Sequence, residues 1–364
     1  MNPAAVLLAA LAVCLVTAAL AALLLVAERF LANYGPCRID VNAGARKLDV
    51  RGGQTLLAAL KNAGVFLPSA CGGRGTCAYC KVKVSSGGGP VAPTETPLLT
   101  AGEVAADVRI SCQLKVRGDM AVFVPEELLA VREYRGRVEK IRDLTHDVKE
   151  LTIRLIEPGE IDFAAGQYVQ LQVGGEPVWR AYSISSPPQV RDAIELIIRL
   201  VPGGICTTWV FTKLREGDEV RFTGPYGSFG LSDGGGGMVW IAGGSGMAPF
   251  WSMVRDMQRR GLRRRCTYFF GAVAARDLFL LRELKQLESQ LDWLRFVPAL
   301  SRPAEGDDWS GQVGLITEVV ARHVPDAADV EAYLCGSPGM IDAAVTVLRR
   351  KGIGEGRVFF DKFA

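Results

Sequence analysis

The apolar and polar positions of this chain change period three times, and each change marks a different kind of element. From Ala4 to Ala27 there are 24 uncharged residues, mostly Leu, Ala and Val, ending at Glu28-Arg29. At about 1.5 Å per residue such a helix covers a hydrocarbon core of roughly 30 Å. A cleaved secretory leader would start on basic residues and carry an apolar run of about 7–15. Met1-Asn2-Pro3 has no side-chain charge and the run is longer, so an uncleaved anchor is expected over residues 1–30. Beyond it, Arg38–Val41 and Lys47–Val50 alternate as a hairpin and Thr55–Ala63 reads as a short helix, the start of a small β-rich unit. From Val131 to Asp233 short alternating strands are separated by Gly and Pro turns. Tyr134–Val138, Val148–Leu155, Tyr168–Val173, Glu195–Val201 and Glu219–Thr223, with one helix near Thr207–Leu214, predict a closed antiparallel barrel. After Met238 strands and helices alternate strictly. Met238–Ala242, Cys266–Gly271, Leu294–Ala299, Ala332–Cys335 and Arg357–Phe360 read as strands; Pro249–Arg260, Leu278–Ser289, Leu315–His323 and Pro338–Lys351 read as the helices between them. That order predicts a parallel sheet covered on both faces, with nucleotides bound at the carboxyl ends of its strands.

Composition narrows the chemistry. The 364 residues allow two or three domains, and the net charge of +3, with no basic block interleaved with aromatics, argues against a nucleic-acid partner. Nine cysteines stand against only two histidines, and four of the nine lie in one region. This reads as a metal site in a reducing compartment rather than a disulfide framework. Arg29, Arg38, Arg46, Lys47 and Arg51 all follow the apolar span and none precedes it. The positive-inside rule then puts the remaining chain in the cytoplasm, as a single-pass protein of the cell inner membrane.

The cysteine region reads Cys71-Gly-Gly-Arg-Gly-Thr-Cys77-Ala-Tyr-Cys80, with Cys112 following after 31 residues. Three thiolates in one loop and a fourth from a distant element are what a two-iron, two-sulfur (2Fe-2S) cluster needs. Gly72, Gly73 and Gly75 let the backbone bend around it. A structural zinc ribbon would want a second Cys-x2-Cys or a histidine pair, and neither His146 nor His323 is near. A Rieske centre needs two histidine ligands that are missing here. Cys14, Cys37, Cys206 and Cys266 are taken as structural or incidental.

The stretch from Pro68-Ser-Ala-Cys71 through Lys81-Val-Lys-Val84 resembles the ferredoxin domain of the F subunits of Na+-translocating NADH:quinone reductases. The initial apolar span and the domain order carry the resemblance over nearly the whole chain. It implies a multidomain α+β protein: one N-terminal transmembrane helix (1–30), a β-grasp ferredoxin domain (35–129), an antiparallel β-barrel FAD domain (131–233) and an α/β parallel-sheet NAD-binding domain (234–364).

Arg180-Ala-Tyr182-Ser183 is similar to the Arg-x-Tyr-Ser motif of the ferredoxin reductase superfamily. The resemblance implies that Arg180 neutralises a flavin phosphate, Tyr182 packs on the isoalloxazine and Ser183 bonds near the reactive ring nitrogen. Gly203-Gly204-Ile-Cys206-Thr207-Thr208 opens a helix whose N-terminus suits a pyrophosphate, though Thr207 or Thr208 could serve as an ordinary N-cap. Gly224-Pro-Tyr226-Gly227 matches a further superfamily motif near the flavin. Gly243-Gly244-Ser245-Gly246-Met-Ala-Pro249 matches the turn that faces the dinucleotide pyrophosphate. Cys335-Gly336 lies at the end of a later strand, as that superfamily's Cys-Gly-x-Pro does beside the nicotinamide; the plainer expectation for Cys335 is a small buried residue. Asp277, directly after Arg276, favours NADH over NADPH at the ribose. Phe363 is the candidate for stacking on the flavin.

FAD, a 2Fe-2S cluster and NADH together imply a hydride route from NADH to flavin and single electrons to the cluster. Such a chain would hand them to membrane redox subunits or a quinone-reducing complex. Only Gly174–Trp179 separate the strand at Tyr168–Val173 from the Arg-x-Tyr-Ser motif, where the F subunits carry a longer insertion. The alternatives are a reductase component of an oxygenase and a membrane-tethered redox sensor.

Overall fold

The computed structural model describes residues 3–31, 34–304, 306, 308–326 and 329–363. It divides into two compact units, the first comprising residues up to Leu67 with Gly73–Ala130, the second Pro68–Gly72 with Val131–Ala364.

The first unit opens with α1 (Pro3–Leu31), unbroken because its apolar stretch contains neither Gly nor a Pro beyond the first helical residue. Among the described residues it is the one helix long and apolar enough to cross a membrane. A five-stranded sheet follows. Its strands are β1 (Pro36–Val41), β2 (Arg46–Arg51), β3 (Lys81–Ser86), β4 (Val108–Ile110) and β5 (Met120–Phe123), in the order β2-β1-β5-β3-β4. β1 pairs antiparallel with β2 and parallel with β5. The helix α2 (Leu56–Asn62) buries Leu56, Ala59 and Leu60 in the same core as Ile39, Val41 and Val122. Thr55 caps it, its hydroxyl accepting from Ala58 N at 3.2 Å. Two short helices, α3 (Ala101–Ala105) and α4 (Glu126–Leu129), complete the unit. The sequence shows the hairpin and α2, but not β3 to β5; of these β4 and β5 span only three and four residues.

In the second unit β6 (Arg132–Asp143), β7 (Val148–Glu157), β8 (Tyr168–Gln172), β9 (Trp179–Ser183), β10 (Ala193–Arg199) and β11 (Glu219–Tyr226) form one antiparallel sheet, ordered β10-β7-β6-β11-β8-β9. The bridge Ile184–Leu196 joins its two ends, so the sheet is nearly closed into a barrel around Ile153, Leu171, Leu196 and Phe222. The helix α5 (Ile205–Thr212) packs Cys206 and Val210 on this core.

The parallel sheet comprises β12 (Gly237–Gly243), β13 (Cys266–Ala272), β14 (Leu294–Leu300), β15 (Gln312–Val313), β16 (Val330–Gly336) and β17 (Val358–Lys362), in the order β15-β14-β13-β12-β16-β17. Alternation along β12 separates its faces. Trp240 and Ala242 pack with α6 (Met247–Arg260) and α7 (Leu281–Gln290), whereas Val239 and Ile241 pack with α8 (Ile316–His323) and α9 (Pro338–Arg350). The chain runs outward from β12 to β15 and returns to β16 on the other side of β12. The carboxyl end of β12 is therefore a topological switch point, where open α/β sheets bind ligands. α6 begins at Met247, two residues before the expected Pro249, because proline is tolerated in a first helical turn. α7 begins at Leu281 rather than Leu278, after a left-handed Leu280 at φ 54°.

Candidate functional site

The Arg-x-Tyr-Ser residues form β9, a strand too short and too mixed in character to stand out by periodicity. The hydroxyl of Ser183 is enclosed, the residue only 3% exposed, and has no hydrogen-bond partner; Ser185, wholly buried two positions on, is in the same state. Buried hydroxyls left unpaired are costly, so each is suited to bonding a bound polar group. Tyr182 is partly exposed, its hydroxyl held well above the ordinary tyrosine range by burial and by Cys206. Arg180, half-buried, donates from Nη1 to Trp179 O at 2.7 Å. Gly204 is the N-cap of α5, and the Thr207 hydroxyl turns back to accept from Val201 N at 3.1 Å. Thr207 thus closes the turn, which leaves backbone N–H groups rather than its hydroxyl to meet an anion at this end of α5. Tyr226 is buried in the barrel wall, its ring 5.5 Å from Tyr168 and its hydroxyl donating to Thr223 Oγ1 at 2.9 Å.

At the switch point β12 ends in Gly243, and Gly244–Gly246 form a tight turn into α6. A Cβ on Gly246 would lie 2.2 Å from Cys335 O, and one on Gly243 would lie 2.7 Å from Met340 Sδ. The turn is packed directly against the end of β16, which only glycine permits. Gly246→Ala is expected to cost about 1–3 kcal/mol. The checks are a lower thermal midpoint and a raised KM for NADH in the same variant. Pro249 is buried in the first turn of α6. Cys335 is wholly buried; burial first, then Asp361, pushes its thiol well above the ordinary range. The site thus favours the protonated thiol, and the side chain packs in the core of the sheet. Gly336 O accepts from Phe363 N at 3.0 Å, and the Phe363 ring packs on the same core as Cys335. Asp277 Oδ2 accepts from Ala274 N at 2.9 Å, so one oxygen caps its own turn, while Oδ1 lies 3.8 Å from His146 Nδ1.

In the first unit Gly73, Gly75 and Ala78 hold left-handed backbone, at φ 86°, 76° and 57°, bending the loop that carries Cys77 and Cys80. Cys80 and Cys112 are buried together in a cluster with Ile110, and Ser111 Oγ donates to Cys80 O at 2.8 Å. The Cys112 thiol and burial push the Cys80 thiol far above its ordinary value. Gln113 Nε2 lies 3.6 Å from Cys112 Sγ, a donor aimed at that sulfur. Among the described residues no three Cys, His, Asp or Glu side chains converge as a site for a single metal ion. A two-iron cluster spreads its four thiolates over two irons, and the Cys80–Cys112 pair fits one of them.

The structure adds residues that sequence reasoning missed. Arg255 on α6 donates to Glu195 Oε2 at 2.6 Å and to the carbonyl of Ser185, and Ser252 Oγ donates to Ser186 O at 2.6 Å. These bonds tie α6, which starts at the glycine turn, to the segment after Ser183. The half-buried polar face of α6 held the only sequence signal for this.

Three family models match in succession: a 2Fe-2S iron-sulfur cluster binding domain over residues 39–117, an oxidoreductase FAD-binding domain over 135–230 and an oxidoreductase NAD-binding domain over 240–346. The F subunit of the Na+-translocating NADH-quinone reductase of a Marinomonas species is 33% identical over 390 positions, covering 95% of each chain. Its counterpart in Pseudomonas paraeruginosa is 35% identical over 389, covering 94% of this chain and 95% of its own. Both alignments are longer than this chain of 364 residues, so the relatives carry segments it lacks. Among solved structures, the Amycolatopsis cytochrome P450 reductase GcoB is similar at a TM-score of 0.74 and 32% identity, covering 90% of this chain and 98% of its own. The ferredoxin reductase in carbazole 1,9a-dioxygenase follows at 0.71 and 25% identity, with the same coverage. With a cluster module, a flavin barrel and a dinucleotide sheet in the matching order and at this identity, the chain belongs to the family of F subunits of Na+-translocating NADH-quinone reductases.

Proposed function

We propose that this chain is the electron-entry component of a membrane-bound NADH:quinone reductase, held to the cell inner membrane by α1 with its other domains in the cytoplasm. It is an NADH-dependent oxidoreductase whose electrons run from NADH through FAD to a 2Fe-2S cluster. The observation that carries the residue roles is the pair of enclosed, unpartnered hydroxyls on and after β9.

Bound flavin supplies the chemistry no side chain has, taking two electrons as hydride and releasing them singly. The protein's part is alignment. In this reading the Ser183 hydroxyl would bond the flavin ring, Tyr182 would support it, and Arg180 with the start of α5 at Gly204 and Thr207 would take the phosphates. Gly243, Gly244 and Gly246 admit the NADH pyrophosphate to the backbone. Asp277 would meet the ribose, Cys335 and Gly336 would shape the nicotinamide pocket, and Phe363 would stack on the flavin. Tyr226 would serve the flavin site through the barrel wall, where it packs on Tyr168. Cys71, Cys77, Cys80 and Cys112 hold the cluster.

Support for the anchor is the length and apolar character of α1, a test a signal sequence also passes. Deleting residues 2–31 is expected to move the protein from salt-washed membranes to the soluble fraction, with NADH-ferricyanide turnover per FAD retained. Protein expressed from the full sequence but recovered soluble, its N-terminus removed, would contradict the anchor. The likeness to GcoB and the carbazole dioxygenase reductase favours a second reading, an oxygenase reductase component. Quinone reduction by membranes that depends on this chain separates the two.

A further inference from the structure

The turn between β6 and β7, Thr145-His146-Asp147, grips the strand end that faces the glycine turn. Asp147 Oδ2 accepts from Arg199 Nε at 2.8 Å and Oδ1 accepts from Thr145 Oγ1 at 2.9 Å. The Asp147 carbonyl accepts from Leu200 N at 2.8 Å, so one residue fixes both the Arg199 side chain and the backbone just beyond it. Arg199 is bound only through Nε; among the described residues neither Nη group has a partner. A Cβ on Gly244 would lie 3.3 Å from Arg199 Nη1, which places that free end of the guanidinium over the Gly243–Gly246 turn.

We infer that Asp147 is a positioning residue for NADH: it aims Arg199, from the barrel, at the pyrophosphate entering the glycine turn of the parallel-sheet domain. The inference rests on the reading of that turn as the pyrophosphate site. A free arginine side chain loses rotamer entropy when it is fixed on a ligand. Holding Nε on a carboxylate removes much of that cost before the ligand arrives and leaves both Nη groups for two phosphate oxygens. The carboxylate is well shielded, its side chain 18% exposed against 51% for the arginine. It is therefore the fixed member of the pair.

The test is competitive inhibition of NADH-ferricyanide turnover in the full-length holoenzyme by ADP-ribose, which has the pyrophosphate, and by AMP, which lacks it. Asp147→Ala is expected to raise the inhibition constant of ADP-ribose roughly tenfold and to leave that of AMP unchanged. Asp147→Asn, which keeps a partner for Thr145, should give most of the same loss, and Asp147→Glu should recover part of it. FAD per chain, read from the visible spectrum, identifies folded protein. Equal weakening of ADP-ribose and AMP, or no weakening of either in Asp147→Ala with full FAD content, would overturn the role of Asp147. If Arg199→Ala also leaves ADP-ribose binding unchanged, the pyrophosphate reading of the turn fails as well. If Arg199→Ala weakens it and Asp147→Ala does not, only the positioning role is lost.

Discussion

Ser183→Ala is expected to slow flavin reduction by NADH about a hundredfold, the typical loss when one preorganised donor at a reacting centre is removed. The hydroxyl is 3% exposed and unpartnered, so its removal breaks no bond within the protein. FAD content and thermal midpoint should therefore stay close to those of the parent. The check is stopped-flow bleaching of the flavin at saturating NADH, with Ser183→Thr keeping the hydroxyl as the control for rescue. Loss of FAD without a change in the rate of the flavin that remains would make Ser183 a binding residue only. Ser185→Ala provides the comparison two positions on. It shares the orphaned hydroxyl but lies beyond the strand, and a smaller effect there would locate the reacting atom at Ser183.

The second large effect is expected in the ferredoxin unit. Glu95 is fully buried and Arg109 nearly so. The guanidinium donates to Glu95 Oε1 at 3.0 Å and Oε2 at 2.5 Å, and to the carbonyls of Gly88, Gly89 and Pro90. Glu95 also accepts from Ala92 N at 2.9 Å and Ile110 N at 3.0 Å. This network pins the 88–96 loop to the strand that leads into Cys112. Burial raises the Glu95 carboxyl, but the bonds from Arg109, Ala92 and Ile110 outweigh it, and the net shift is downward. The pair's contribution is thus complete above the ordinary carboxylate range and is lost as pH falls below it toward the depressed folded value. Glu95→Ala strands a buried guanidinium and should cost about 3–5 kcal/mol, whereas replacing both partners with apolar residues should cost far less. Denaturation followed through the cluster absorbance measures both. A single variant no worse than the double would show that the network contributes little.

The long apolar helix α1, the 2Fe-2S domain and the alternation of strand and helix after Met238 were legible because each rests on local pattern: an uncharged run, a fixed cysteine spacing, a repeated period. The residues that join elements were not. β9 holds the flavin motif but, with Trp179 and Ser183 buried and the three residues between them half-exposed, it lacks the alternation that marks a strand. Arg109 and Glu95 read as two surface charges fourteen residues apart, and only the fold puts both inside. Arg199 and Asp147 are separated by 52 positions and meet because β7 and β10 pair in register, with Arg199 opposite Val148. Tyr226 and Thr207 show the opposite case. Their motifs were visible, yet their hydroxyls are committed to Thr223 and to the Val201 turn. The motif is legible in the sequence; which of its atoms are free for a ligand is a property of packing.

The most direct measurement is the visible and electron paramagnetic resonance spectrum of the full-length protein, purified anaerobically in detergent, before and after one equivalent of NADH. Bleaching of the flavin bands together with the appearance of a reduced 2Fe-2S signal is the expected result. Flavin that bleaches beside a cluster that stays oxidised, or a spectrum with cluster and no flavin, would contradict electron flow from NADH through FAD to the cluster in this chain.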